Sequence, residues 1–168
     1  MKLKAVFLDK DGTIIPSASY NTNTDPVTFS EEVIEGLQLL QSYGYLLVVV
    51  TNQPGIVHEH FAHEQLDTVK EKLSDMCLKM GIYLDGFYSC PHHLKDNHDC
   101  HKSKPRLLHE AATDMDIDLS CSWMIGDILN DVEAGKKAGC KTILIDNGKE
   151  TEWKMDEYRN PEYKAKDL

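Results

Sequence analysis

Asp9 and Asp11 stand one residue apart in Asp9-Lys10-Asp11-Gly12-Thr13, directly after the apolar run Ala5-Val6-Phe7-Leu8. Such a run, closed by a turn dipeptide, reads as a buried strand whose carboxyl end carries two acids. That placement is costly, because Asp is a poor strand residue and neighbouring carboxylates repel. A bound divalent cation, or a reaction that transfers charge, would offset the cost. The competing explanation is purely structural: Asp-Gly is a common turn pair that closes a strand.

Two further apolar runs end in the same way. Val48-Val49-Val50 leads into Thr51-Asn52-Gln53, and Trp123-Met124-Ile125-Gly126 leads into Asp127, with Asp131 four residues on; Lys102 lies in a polar segment between them. Each residue also has a plain reading. Thr51 suits a strand because it is β-branched, Asp127 suits the positive end of a helix, and Asp131 and Lys102 suit a solvated surface.

Something must bring these strand ends together. Strands are expected near Lys4–Leu8, Tyr45–Thr51, Gly86–Ser89, Ser122–Ile125 and Lys141–Ile145. Helices are expected near Ser30–Ser42, Ala62–Met80, Lys104–Asp114 and Asn130–Ala138. Val33, Leu37 and Leu40, like Leu66, Val69 and Leu73, have helical spacing, and Ser30 before Glu31 and Glu32 reads as a capped start. Gly44, Gly81 and Gly139 fall where helices should stop. The alternation predicts an α/β fold with a doubly wound, mainly parallel sheet. Ligands of such sheets bind beyond the carboxyl ends of the strands, where Asp9, Thr51 and Asp127 all fall.

With 168 residues the chain is expected to form one domain, 1–168, and a monomer. The net charge of −10 disfavours nucleic acid and anionic membrane as partners, so a phosphorylated ligand would depend on local cations. No signal peptide or membrane-spanning stretch is evident, and a cytoplasmic location is expected. Five cysteines are an odd count and argue against a disulfide framework; Cys77, Cys121 and Cys140 are expected to be small buried residues.

Cys90 and His92, then His98 and Cys100, form two symmetric pairs across a short loop. Four such ligands suit a tetrahedral, structural Zn²⁺; a polar, His-rich loop without metal is the alternative.

Taken in order, the stretches at Asp9, Thr51, Lys102 and Asp127 resemble the four motifs of the haloacid-dehalogenase superfamily of phosphohydrolases. The resemblance implies a catalytic Mg²⁺ held by Asp9, the Asp11 main-chain carbonyl and Asp127, with Asp131 supporting from the second rank. It implies that Asp9 is the nucleophile and forms an aspartyl-phosphate, and that Asp11 is the general acid/base. Thr51 and the Asn52 amide would bind the phosphoryl group and Lys102 would neutralise it. The spaces between the motifs hold no separate cap domain, so loops must shape the pocket. Related domains often add a final helix beyond the place where this sequence reads Lys166-Asp167-Leu168.

The Cys/His loop, the stretch Thr51 to Ile56 and Lys102 resemble one branch, subfamily IIIA. That branch holds D-glycero-D-manno-heptose 1,7-bisphosphate phosphatases and histidinol-phosphate phosphatases. By this resemblance Asn52, Gln53 and His101 lie near the substrate. The chain departs from the branch at His98 where a Cys is usual, at His101 where an Arg is usual, at Ile128 where a Lys often stands, and in the Pro16–Pro26 loop. The expected substrate is a small phosphorylated sugar, foremost the heptose bisphosphate. Histidinol phosphate or another small phosphomonoester is the alternative. Further off are a polynucleotide end-phosphatase and a non-catalytic phosphometabolite-binding protein.

Overall fold

The structure is a computed structural model that describes residues 1–16, 28–52, 59–90 and 105–168, with the backbone alone described over 59–65. Strands β1 (Ala5–Asp9), β2 (Leu46–Asn52), β3 (Gly86–Cys90), β4 (Trp123–Gly126), β5 (Lys141–Ile145) and β6 (Tyr163–Ala165) form one sheet in the order β3-β2-β1-β4-β5-β6. Every neighbouring pair is parallel. The helices are α1 (Glu31–Ser42), α2 (Glu59–Lys79), α3 (Arg106–Asp114) and α4 (Leu129–Ala138), with a short 3₁₀ turn at Leu119–Cys121.

The two-residue period of the strands sorts the core into two layers. Ala5 and Phe7 of β1 join Val48 and Val50 of β2 on one face, under Leu107, Leu108 and Ala111 of α3 and Ala138 of α4. Val6 and Leu8 join Leu47 and Val49 on the other face, under Val33 and Leu37 of α1 and Leu73 and Cys77 of α2. Both faces of the central strands are therefore covered, as parallel sheets require, and this is why their sequences run apolar without alternation. Helix α1 starts at Ser30, whose hydroxyl accepts from the Val33 amide at 3.3 Å, with Glu31 and Glu32 in its first turn.

Two sequence expectations change. Strand β6 was not foreseen: it is three residues long and half exposed, so it carries no apolar run. Cys121 is exposed, because it ends the 3₁₀ turn rather than lying in a strand. Cys77 and Cys140 are buried as expected, and burial pushes their thiols up to about 11 and about 12.

The strand order reverses direction between β1 and β4. From β1 the chain proceeds outward through β2 to β3, then returns to β4 and proceeds the other way. In open α/β sheets that switch opens a crevice at the carboxyl ends of the strands.

Candidate active site

Asp9 is the last residue of β1, and β4 beside it ends at Gly126. The strand pairing Leu8↔Ile125 therefore delivers Asp9 and Asp127 to the same end of the sheet, on either side of the switch. Asp131 sits in the first turn of α4, where the helix N-terminus favours negative charge. One carboxylate oxygen from each of Asp9, Asp127 and Asp131 lies within 4.8 Å of the other two, and all three residues are buried. Asp131 is thus as much a member of the cluster as Asp127.

Buried like charges at this spacing repel strongly, and a hard divalent cation with oxygen ligands is the usual compensation. The donor set fits Mg²⁺ in type, and two glycines make room for two of its acids. Gly12 has φ +81°, and a Cβ there would lie 1.9 Å from Oδ2 of Asp127. At Gly126 a Cβ would lie 2.3 Å from Cβ of Asp131. Both acids occupy space that any side chain at these two positions would fill.

Asp11 stands apart from the cluster. Its side chain is 47 % exposed, and one oxygen is 3.3 Å from the Lys10 ammonium. The loop from Lys10 to Ile15 is held tight by its own backbone: Ile14 and Ile15 amides donate to the Lys10 carbonyl, and the Gly12 amide to that of Ile15. Lys10 itself is 6 % exposed, an unusual burial for lysine. The sequence reading gave it no role, although its place between two acids is a legible reason for a buried cation.

The neighbouring strand contributes polar groups. Thr51 follows Val50, the partner of Asp9 across the β1–β2 ladder. It is fully buried, yet its hydroxyl has no hydrogen-bond partner among the described residues, and neither does the half-buried Asn52 Oδ1. The Thr13 hydroxyl, in the loop after β1, is in the same state. Buried hydroxyls are normally bonded, so these orphans at the mouth of the crevice are candidates to meet a ligand.

Cys90 ends β3 and pairs in register with Asn52, which puts the start of the Cys/His loop beside the polar end of β2. Cys90 is disulfide-bonded here. His92, His98, Cys100, His101, Lys102 and Gln53 lie outside the described residues.

The model of the HAD-hydrolase-like family matches residues 99–168. Proteins called D-glycero-beta-D-manno-heptose-1,7-bisphosphate 7-phosphatase are similar over most of the chain. That of Pasteurella multocida is 40 % identical across 87 % of this chain and 83 % of its own length. That of Escherichia coli K12 is 37 % identical across 86 % and 80 %. Among solved structures, a putative HAD-like phosphatase from Mesorhizobium loti superposes with a TM-score of 0.78 at 29 % identity, covering 86 % of this chain and 73 % of that one. The D,D-heptose 1,7-bisphosphate phosphatase of B. bronchiseptica, in complex with magnesium and phosphate, gives 0.73 at 25 % identity, covering 84 % and 80 %. The chain belongs to the HAD-like hydrolases. The particular relatives it matches at 35–40 % identity are phosphatases, that is, phosphomonoester hydrolases.

Among the described residues, no helix is long and apolar enough to cross a membrane.

Proposed function

We propose that this chain is a Mg²⁺-dependent phosphatase of a small phosphorylated sugar, with D-glycero-D-manno-heptose 1,7-bisphosphate as its substrate and the 7-phosphate as the group removed. The buried cluster of Asp9, Asp127 and Asp131 at the switch of the sheet carries the metal-dependent chemistry of this reading, and the similarity to heptose-1,7-bisphosphate 7-phosphatases over most of the chain supports the substrate. The Asp9 carboxylate, the Asp11 carbonyl and Asp127, with Asp131 beside them, would hold the Mg²⁺. When bound, the ion offsets the negative charge of nucleophile and phosphoryl group, which otherwise repel.

The chain's own residues carry the bond changes. An Asp9 oxygen bonds to phosphorus as the ester P–O bond breaks, and Asp11 gives its proton to the departing sugar alkoxide. Asp11, now ionised, takes a proton from the water that attacks phosphorus, and the Asp9–phosphorus bond breaks. Asp11 suits this exchange because its carboxylate is half exposed, outside the cluster, and within reach of solvent. The orphaned Thr51 hydroxyl and the Asn52 amide would bind phosphoryl oxygens, with Lys102 neutralising charge. We read the chain as one domain without a cap, so selectivity falls to Gln53, His101 and the loops around them.

The test is phosphate release from heptose 1,7-bisphosphate, the corresponding monophosphate and histidinol phosphate, with Mg²⁺ and with excess chelator. The bisphosphate should be preferred and activity should vanish with chelator. Because His101 stands where the branch has Arg, a bidentate contact is lost and the preference over the monophosphate should be modest. Turnover of histidinol phosphate alone would move the assignment to that substrate.

The Cys/His loop belongs to the same reading. Cys90, His92, His98 and Cys100 are proposed to hold one structural Zn²⁺ when the cysteines are reduced, pinning the loop that carries Lys102. The two-by-two spacing of the ligands supports this, as does the register that sets Cys90 beside Asn52. Metal analysis of protein purified under reducing conditions should find one zinc per chain, and its chelation should lower Tm. No zinc, with Tm unmoved by chelator, would leave the disulfide as the loop's staple.

A further inference from the structure

The segment after β5 makes contacts that the chemistry above does not use. Asn147 Nδ2 donates to the Gly12 carbonyl at 2.8 Å, across 135 residues of sequence. Three residues on, Glu150 Oε2 accepts from the Leu129 amide at 2.6 Å. Both side chains are held by their own loop: Asn147 Oδ1 accepts from the Lys149 amide and Glu150 Oε1 from the Glu152 amide. One short loop thus grips the acidic loop after β1 with one residue and the start of α4 with another.

The second grip fills a vacancy in helix chemistry. The residue at the N-cap of α4 is Ile128, which has no side chain able to accept from the first amides of the helix. Glu150 supplies that acceptor from a distant part of the chain, with a negative charge at the positive end of the helix dipole. Leu129 lies between Asp127 and Asp131, so the amide that Glu150 holds is two residues from each. Farther along, Arg159 donates to Glu133 and Asn130, and Glu162 pairs with Lys136 and accepts from Thr142. The Glu162 contacts hold the last turn of α4 and the start of β5, away from the acidic cluster, whereas Arg159 also reaches Asn130 beside Asp131.

We propose that Asn147 and Glu150 are positioning residues that set the distance between the loop of Asp9, Asp11 and Gly12 and the turn carrying Asp127 and Asp131. This rests on the reading of that cluster as a Mg²⁺ site. Neither residue touches substrate. They act on the metal-binding carboxylates through Gly12 and Leu129, as outer partners of metal sites commonly do.

The experiment measures Mg²⁺ affinity by titration calorimetry without substrate, alongside kcat, KM and Tm. Glu150→Ala should weaken Mg²⁺ binding roughly tenfold and lower kcat with little change in KM. Glu150→Gln keeps an acceptor oxygen and should recover most of the affinity. Asn147→Ala, which removes the bond to Gly12 and the one from the Lys149 amide, should weaken Mg²⁺ severalfold and serves if Glu150→Ala does not fold. Glu162→Ala, which frees Lys136 and Thr142 far from the acidic cluster, should lower Tm while leaving Mg²⁺ affinity in place. Unchanged affinity in Glu150→Ala or Asn147→Ala, or an equal loss in Glu162→Ala, overturns the inference. A parent chain that binds Mg²⁺ and releases phosphate while the variants match it defeats this inference alone. A parent that does neither defeats the proposed function with it.

Discussion

Asp9→Asn should reduce phosphate release to background while the protein stays folded. The carboxamide oxygen cannot form the covalent bond to phosphorus, so the loss is of a reaction step and not of binding. A fall of at least about 10³-fold is expected, on the scale seen when a covalent nucleophile is removed. Folding should survive, because the substitution removes one charge from three crowded buried carboxylates and keeps the shape of the side chain. Circular dichroism and Tm in the absence of Mg²⁺ check that point. Asp11→Asn should cost less, about 10²- to 10⁴-fold, because general acid–base help is lost but the nucleophile remains. Its half-exposed position makes it the gentler change structurally. Near-parental turnover by Asp9→Asn in Mg²⁺ would end the covalent mechanism.

The burial of the strands that carry Asp9 and Thr51 was legible in the sequence. Ala5 to Leu8 and Val48 to Val50 are apolar at every position because helices cover both faces of their strands. Such strands announce themselves, and the polar residue that ends each run marks the crevice. Strand β6 had no comparable mark. It lies at the edge of the sheet, and Tyr163 is 63 % exposed. Helix α2 begins at Glu59, three residues before the expected start.

The site was legible to the same depth. Asp9 and Asp127 were conspicuous because acids at strand ends are expensive, whereas Asp131 stood out only by its spacing four residues beyond Asp127 and by the family resemblance. Asn147 and Glu150 were missed because each acts through a backbone group far away in sequence, and an Asn-Gly pair reads first as a turn. Lys10 was missed because lysine is normally solvated, and only the fold shows its burial beside Asp11. In the sequence Gly12 reads as half of a turn pair that closes a strand. The structure adds that its missing side chain is the space Asp127 occupies.

That last point makes Gly12→Ala a severe substitution for one methyl group. Two costs combine. With φ at +81°, an L side chain is strained by about 1–2 kcal/mol. The new Cβ would also fall 1.9 Å from Oδ2 and 2.7 Å from Cγ of Asp127, far inside contact distance. Asp127 is 5 % exposed and shares its pocket with Asp9 and Asp131, so the carboxylate has nowhere to retreat without leaving the cluster. A displacement of about 1 Å at a catalytic group can cost on the order of 10²-fold in rate. Gly12→Ala should therefore lose at least that in kcat/KM, with weaker Mg²⁺ binding and a lower Tm. Gly44→Ala separates the two costs. Its φ is +77°, but a Cβ there meets nothing within 4 Å. It should show the drop in Tm from strain and keep both Mg²⁺ affinity and turnover. If the two variants lose the same stability and Gly12→Ala keeps its activity, Asp127 does not need the space beside Gly12. The placement of the metal carboxylates against the loop after β1 would then have to be reconsidered.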